Sequence, residues 1–370
     1  MAAHRYPHFD GLRALAVLPI MCFHAAKSLR SLNLQFSPAS VGWIGVDVFF
    51  VLSGFLITGI LLDMRNSPHY FWNFFVRRTL RIWPLYLLVL ILVFGIVPIV
   101  RPDYGPVIFG GSKPWWSYLI FMQNLLVHDR VGGTGPLAVT WSLAIEEQFY
   151  VVCPILCFFL NRKQLKSVLF ALILFCPALR MWMLLNNFSG ITIYQNTLCR
   201  FDTLAMGSLL ALLVRERLPN LRILATVLFF LSLAGVMLRS HSWVWRDSFA
   251  GVLVNSVLVF CLMPTQWTSG LRVLTNPVLR YIGKISYGLY LLHVCVFDLY
   301  KNSYLNRPVL HNGIADDILR FIGLLGITCV VATVSWYWVE KPILKFRTRL
   351  LRGDTGRLKL VTAPAAAKAA

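Results

Sequence analysis

Arg13 and His24 stand eleven residues apart in the first long apolar stretch, F-D-G-L-R-A-L-A-V-L-P-I-M-C-F-H. On a helix turning about 100° per residue, that spacing returns to within roughly 20° of one face and separates the two groups by roughly 16 Å along the axis. Asp10 falls close to the same face. Lipid-facing burial of an arginine and a histidine together costs at least a few kcal/mol, which makes the pair a candidate functional site. A second run, R-R-T-L-R-I-W-P-L-Y, adds Arg77, Arg78 and Arg81 at the start of another apolar stretch. Guanidinium forks bind phosphate oxygens bidentately, so clustered arginines suit a polyphosphate ligand. A histidine is a general base toward a hydroxyl at neutral pH, and a nearby carboxylate fixes its tautomer and stabilises the imidazolium that forms. Asp47 and Glu146, with Glu147 beside it, are carboxylates inside apolar segments that can take that part. These residue types point to group transfer, with a phosphate-bearing donor on the arginines, a hydroxyl acceptor, and a histidine between them.

The elements that must position these groups are membrane helices. Of 370 residues, 58% are hydrophobic and only 14% charged. Mean hydropathy is +0.67, outside the range of soluble domains. Segments long enough to cross a bilayer of about 30 Å lie near residues 9–29, 41–63, 79–100, 138–160, 166–186, 197–214, 221–238, 248–264, 283–300 and 318–339. The expected fold class is an all-α integral membrane protein with about ten transmembrane helices and both termini cytoplasmic. Trp115 to Val127 covers only about 13 residues and reads as an interfacial or re-entrant piece.

Loop charge sets this topology. With ten spans and the N-terminus inside, the cytoplasmic side receives Arg65, Arg77, Arg78, Arg81, Arg162, Lys163, Lys166, Arg215, Arg217, Arg222, Arg272, Arg280, Lys284 and the tail from Lys341 onward. The opposite side receives fewer, with none in the loop N-N-F-S-G-I-T-I-Y-Q-N. Counting Trp115 to Val127 as a crossing spoils the asymmetry. The formal net charge of +20 therefore reports the positive-inside rule and not a nucleic-acid partner. The eight cysteines include no C-x-x-C pair and read as small core residues, with neither a disulfide framework nor a metal site expected. No cleavable signal peptide is visible. Residues 1–347 read as one transmembrane domain without internal repeats, and residues 348–370 as a disordered cytoplasmic tail.

Orientation sorts the intramembrane polar groups into two layers. Arg13, Arg77, Arg78 and Arg81 lie in the inner one; His24, Asp47, Glu146, Glu147, Arg180, Arg200, Asp202 and His293 lie in the outer one, all expected to pair around a shared cavity. Plainer readings compete. The three arginines of the R-R-T-L-R run can be positive-inside anchors. One of Glu146 and Glu147 can merely satisfy Arg180 or Arg200, since adjacent residues point about 100° apart. His293, in S-Y-G-L-Y-L-L-H, taken by itself reads as an interhelical hydrogen bond.

Several motifs carry a family resemblance: F-D-G-L-R-A-L-A-V at 9–17, G-W-I-G-V-D-V-F-F-V-L-S-G-F-L-I-T at 42–58, R-R-T-L-R-I-W-P-L-Y at 77–86 and W-S-L-A-I-E-E-Q-F-Y at 141–150. With I-S-Y-G-L-Y-L-L-H at 285–293 and V-E-K-P at 339–342, the chain resembles the acyltransferase 3 family of membrane-bound O-acyltransferases. The resemblance implies transfer of an acyl group, usually acetyl, from cytoplasmic acetyl-CoA to a hydroxyl of a carbohydrate or lipid-linked oligosaccharide at the bacterial inner membrane, with no metal. Acceptors typical of the family include O-antigen, exopolysaccharide, peptidoglycan and lipochitooligosaccharide nodulation factors. By motif, the family's arginine–histidine pair falls on Arg13 and His24, its arginine motif on Arg78 and Arg81 with Arg77 adjacent, and its acidic position on Glu146. Many members carry a fused SGNH hydrolase-like domain after the last helix; none follows here, so acyl handover would require a separate periplasmic protein.

The mechanism so implied places Arg13, Arg77, Arg78 and Arg81 on the CoA phosphates. His24 deprotonates the acceptor, helped by Asp47 or Glu146. An acyl-histidine intermediate fits the same residues. The rival class is a transporter or flippase for a glycolipid or anion, since the same residue types line substrate paths.

Overall fold

The computed structural model describes residues 7–28, 42–104, 113–126, 135–216, 221–237, 243–262, 272–301 and 313–351. The expected disordered tail lies, from residue 352, outside them. Among the described residues all regular structure is helical. In chain order the principal helices are α1 (Pro7–Ser28), α2 (Ile44–Met64), α3 (Tyr70–Leu90), α4 (Thr140–Phe159), α5 (Arg162–Leu185) and α6 (Thr197–Arg215). They continue as α7 (Leu221–Met237), α8 (Trp243–Leu262), α9 (Pro277–Lys284), α10 (Ser286–Lys301) and α11 (Gly313–Ser335). A π-helical turn, Trp336–Glu340, carries α11 on into Lys341–Leu350.

A helix lies on each of the ten apolar segments, yet they are unequal. Six are long and apolar enough to cross a membrane by length and composition, and seven if the bent pair α9 and α10, which meet at 68°, is one span. Two more, α7 and α8, are apolar helices of 17 and 20 residues. The 22-residue α1, also of spanning length, carries Asp10, Arg13, His24 and Lys27. The stretch from Trp115 forms only a five-residue helix, Trp115–Leu119, followed by turns. Hydrogen bonds fasten it to the bundle: Tyr86 donates to the Tyr118 carbonyl at 2.9 Å, Gln123 to the Thr140 carbonyl at 3.0 Å, and Asn124 to Thr197 Oγ1 at 2.7 Å.

Close helix crossings set the frame of the site. At Gly54 a Cβ would run into the Leu204 carbonyl oxygen, and at Gly207 into the Val51 carbonyl oxygen, so α2 and α6 touch backbone to backbone. Gly283 of α9 rests in the same way on the Asp10 carbonyl of α1. A large apolar cluster including Phe50, Ile57, Phe74, Tyr86, Ile145 and Leu204 joins α2, α3, α4 and α6.

Four charged residues of the expected outer layer, Arg180, Arg200, Asp47 and Asp202, do not line the cavity described below. Arg180 donates to Asp202 Oδ2 at 2.7 Å and to Ser248 Oγ at 2.6 Å. Arg200 donates to Asp47 Oδ1 at 2.6 Å, pairs with Asp247, and lies over the Tyr194 ring at 4.9 Å. The side chains of Arg180, Arg200, Asp47 and Asp202 are closed to solvent. These ion pairs cross-link α2, α5, α6 and α8, because a buried guanidinium must be neutralised where it stands. Neither arginine turns to Glu146 or Glu147, as one plainer reading had supposed.

Candidate active site

A cavity open to solvent runs between α1, α2, α3, α4 and α10. Its wall on α2 extends from Val46 to Ile60, which is roughly 21 Å of helix axis and most of the thickness of a bilayer's apolar core.

One end is cationic. Arg13, Arg78 and Arg81 all line it. The Arg78 guanidinium lies over the rings of Phe74 at 5.9 Å and Tyr150 at 5.6 Å, which fixes its plane. Its Nε is buried without a hydrogen-bond partner, as is that of Arg77. Arg77 does not line the cavity; its carbonyl accepts from Arg347 at 3.5 Å, and Arg347 stands within electrostatic reach of Arg77, Arg78 and Arg81. Among the described residues, Arg13 alone of these has an ion pair, with Asp10 at 3.1 Å. Cations so close repel one another, so the arrangement favours an anion carrying several charges.

Midway along the wall stands Glu146. Its carboxylate accepts from Ser53 at 2.8 Å and from Tyr150 at 3.3 Å, both cavity-lining. Glu147, one position on, turns away and accepts from Trp83 Nε1 at 3.3 Å. The expected division of that pair is therefore present, and Glu146 is the member facing the cavity.

The other end carries the hydroxyls of Ser142 and Tyr290, with two imidazoles next to Tyr290 outside the lining. Ser142 and Tyr290 line the cavity and share a hydrogen bond of 2.5 Å. Behind Tyr290, His293 Nε2 lies 3.1 Å from His24 Nδ1. His24 is half-buried, and neither it nor His293 lines the cavity. Asp47, expected beside His24, instead faces α6 and is held by Arg200. The candidate site thus joins Arg13, Arg78, Arg81 and Glu146 along one cavity, while His24 stays outside its lining, linked to it through His293 and Tyr290.

Ser53, Tyr150, Ser142, Tyr290 and Arg347 complete the site without having been singled out in the sequence. The first four lie inside the motifs quoted above, where hydroxyls in apolar runs resemble ordinary packing residues. Arg347 follows the last apolar segment, where any basic residue reads as an anchor.

A polar, arginine-lined cavity within a bundle of apolar helices defines a multi-pass membrane protein with an internal ligand site. The chain belongs to the acyltransferase domain family, which matches residues 6–337. It is similar to the protein named "Putative peptidoglycan O-acetyltransferase YrhL" of Bacillus subtilis, with 33% identity over 96% of this chain and 57% of that one. It is also similar to the peptidoglycan O-acetyltransferase OatA of Listeria monocytogenes, with 31% identity over 92% of this chain and 56% of that one. The chain thus spans little more than half the length of these relatives. No solved structure matches it.

Proposed function

We propose that this protein transfers an acetyl group from cytoplasmic acetyl-CoA to a carbohydrate hydroxyl on the far side of a bacterial inner membrane, through ten spans with both termini inside. The observation that carries the reading is the cavity whose ends differ in chemistry, with arginines at one and the His24–His293 pair beyond the other. Arg13, Arg78 and Arg81, with Arg77 and Arg347 adding positive charge nearby, hold the CoA phosphates, for which the partnerless Nε of Arg78 is a suited donor. The long pantetheine arm follows the wall of α2, past Glu146, to Ser142 and Tyr290. Family membership and the names of the relatives support acetyl transfer to a glycan.

In this reading His24 takes the proton of the acceptor hydroxyl as its oxygen attacks the thioester carbonyl. The C–S bond breaks, and His24 returns the proton to the departing thiolate, leaving an ester and CoA thiol. Glu146, held by Ser53 and Tyr150, balances part of the positive charge of the channel from within electrostatic reach of Arg78 and Arg81. The test is release of CoA from labelled acetyl-CoA by protein in proteoliposomes, with soluble peptidoglycan fragments as acceptor. His24→Ala is expected to lower transfer by about 100-fold or more, the usual worth of a general base, while still entering the membrane. Undiminished transfer by that variant would remove His24 from the mechanism.

A further inference from the structure

His293 has a role that an interhelical hydrogen bond does not exhaust. It is fully buried on α10, with the Phe297 ring edge-on at 5.7 Å. Its Nδ1 lies 2.7 Å from the Tyr290 carbonyl oxygen and 3.1 Å from that of Leu289. A carbonyl only accepts, so Nδ1 bears the hydrogen, and the neutral ring has its lone pair on Nε2. That lone pair faces His24 Nδ1 at 3.1 Å. An acceptor needs a donor, which places a hydrogen on His24 Nδ1, shared with the Ile20 carbonyl at 3.1 Å. The lone pair of the neutral His24 ring is then on Nε2, at the ring edge away from its own helix backbone.

We propose that His293 is a positioning residue that fixes the tautomer and ring plane of His24, so that Nε2 is the nitrogen presented to the acceptor hydroxyl. This rests on the reading of His24 as the base. The part usually taken by a carboxylate behind a catalytic histidine is here filled by a neutral imidazole, whose own orientation is fixed by two backbone carbonyls. As His24 takes up a proton, the bond from Nδ1 to His293 becomes charge-assisted and strengthens with the reaction. The ring of Phe23, edge-on to His24 at 5.4 Å, limits its rotation further.

Gln and Asn separate positioning from packing. In His293→Gln the amide oxygen can reach the place of Nε2 and accept from His24. In His293→Asn the shorter amide can satisfy the backbone carbonyls but falls short of His24. The Asn variant is expected to lose about 100-fold in kcat with KM for acetyl-CoA within about twofold, and the Gln variant to stay within about tenfold of the parent. His24→Ala combined with His293→Asn is expected to be no worse than His24→Ala alone, because the second residue acts through the first. Equal losses in the Gln and Asn variants, or full kcat in the Asn variant, while His24→Ala is inactive, would overturn the positioning role alone. Full transfer by His24→Ala would overturn both this role and the base assignment beneath it.

Discussion

Arg78 and Arg200 show how burial gives one residue type two employments. Arg200 is closed to solvent between Asp47 and Asp247, its charge spent on holding three helices together. Arg78 rests on two aromatic faces with no carboxylate bound to it, and its Nε awaits an acceptor. Removing each should be felt in a different measurement. Hydrogen bonds to a charged group contribute about 1.5–3 kcal/mol, so Arg78→Ala is expected to raise KM for acetyl-CoA by roughly 10- to 100-fold with little change in kcat. Arg78→Lys should recover part of this, since a point charge replaces the fork and loses the ring stacking. Kinetics in proteoliposomes over a range of acetyl-CoA check both, and a KM unchanged by Arg78→Ala would dissociate this residue from the donor. Asp47→Ala instead leaves part of a buried guanidinium charge uncompensated, which costs about 3–5 kcal/mol. A lower unfolding midpoint of the detergent-solubilised protein is the expected sign, and an intact midpoint would show that Asp47 is not structural.

Helices were legible in the sequence because apolar runs of bilayer length leave few alternatives, whereas the partners of their polar residues were not. Asp47 and Arg200 are 153 positions apart and bond only because α2 and α6 cross at Gly54 and Gly207. Without that crossing, Asp47 reads equally well as a neighbour of His24. For Glu146 and Glu147 the helical period assigns directions about 100° apart but not which one meets the cavity; Ser53 and Trp83, on other helices, decide it. Arg13 and His24 lie on one helix, where spacing fixes their relative direction, yet only Arg13 lines the cavity. The same crossing makes a prediction at this scale. Gly54→Val and Gly207→Val push branched side chains into facing backbone, and overpacking of this kind costs about 1–3 kcal/mol or more. Both are expected to lower the midpoint and increase aggregation on size exclusion. Gly323→Ala, where a Cβ meets nothing within 4 Å, should leave the midpoint equal or raise it slightly, since alanine favours helix by about 1 kcal/mol. Equal behaviour of all three would show that α2 and α6 do not touch as described.

Basic residues collect at one end of the whole molecule. Arg65 donates to the Phe158 carbonyl at 3.0 Å, Lys166 pairs with Glu216 at 2.9 Å, and Arg215 with Asp63 at 2.9 Å. These contacts bring the ends of α2, α4 and α6 and the start of α5 to one level, while Arg77 and Arg347 meet close to Arg78 and Arg81 at the mouth of the cavity. Membrane proteins keep such an end in the cytoplasm, and that is the side on which acetyl-CoA is found. The arginine end of the cavity and the side of the donor therefore coincide only if the topology has this sense. A truncation series fused to alkaline phosphatase, which is active only outside the cytoplasm, reads that sense directly. Fusion after Arg162, in the basic connection between α4 and α5, is expected to be inactive, and fusion after Asn187, beyond α5, to be active. The reverse pattern would place the arginines on the acceptor side, where a phosphate-bearing donor could not reach them, and would require the cavity to be filled from the histidine end.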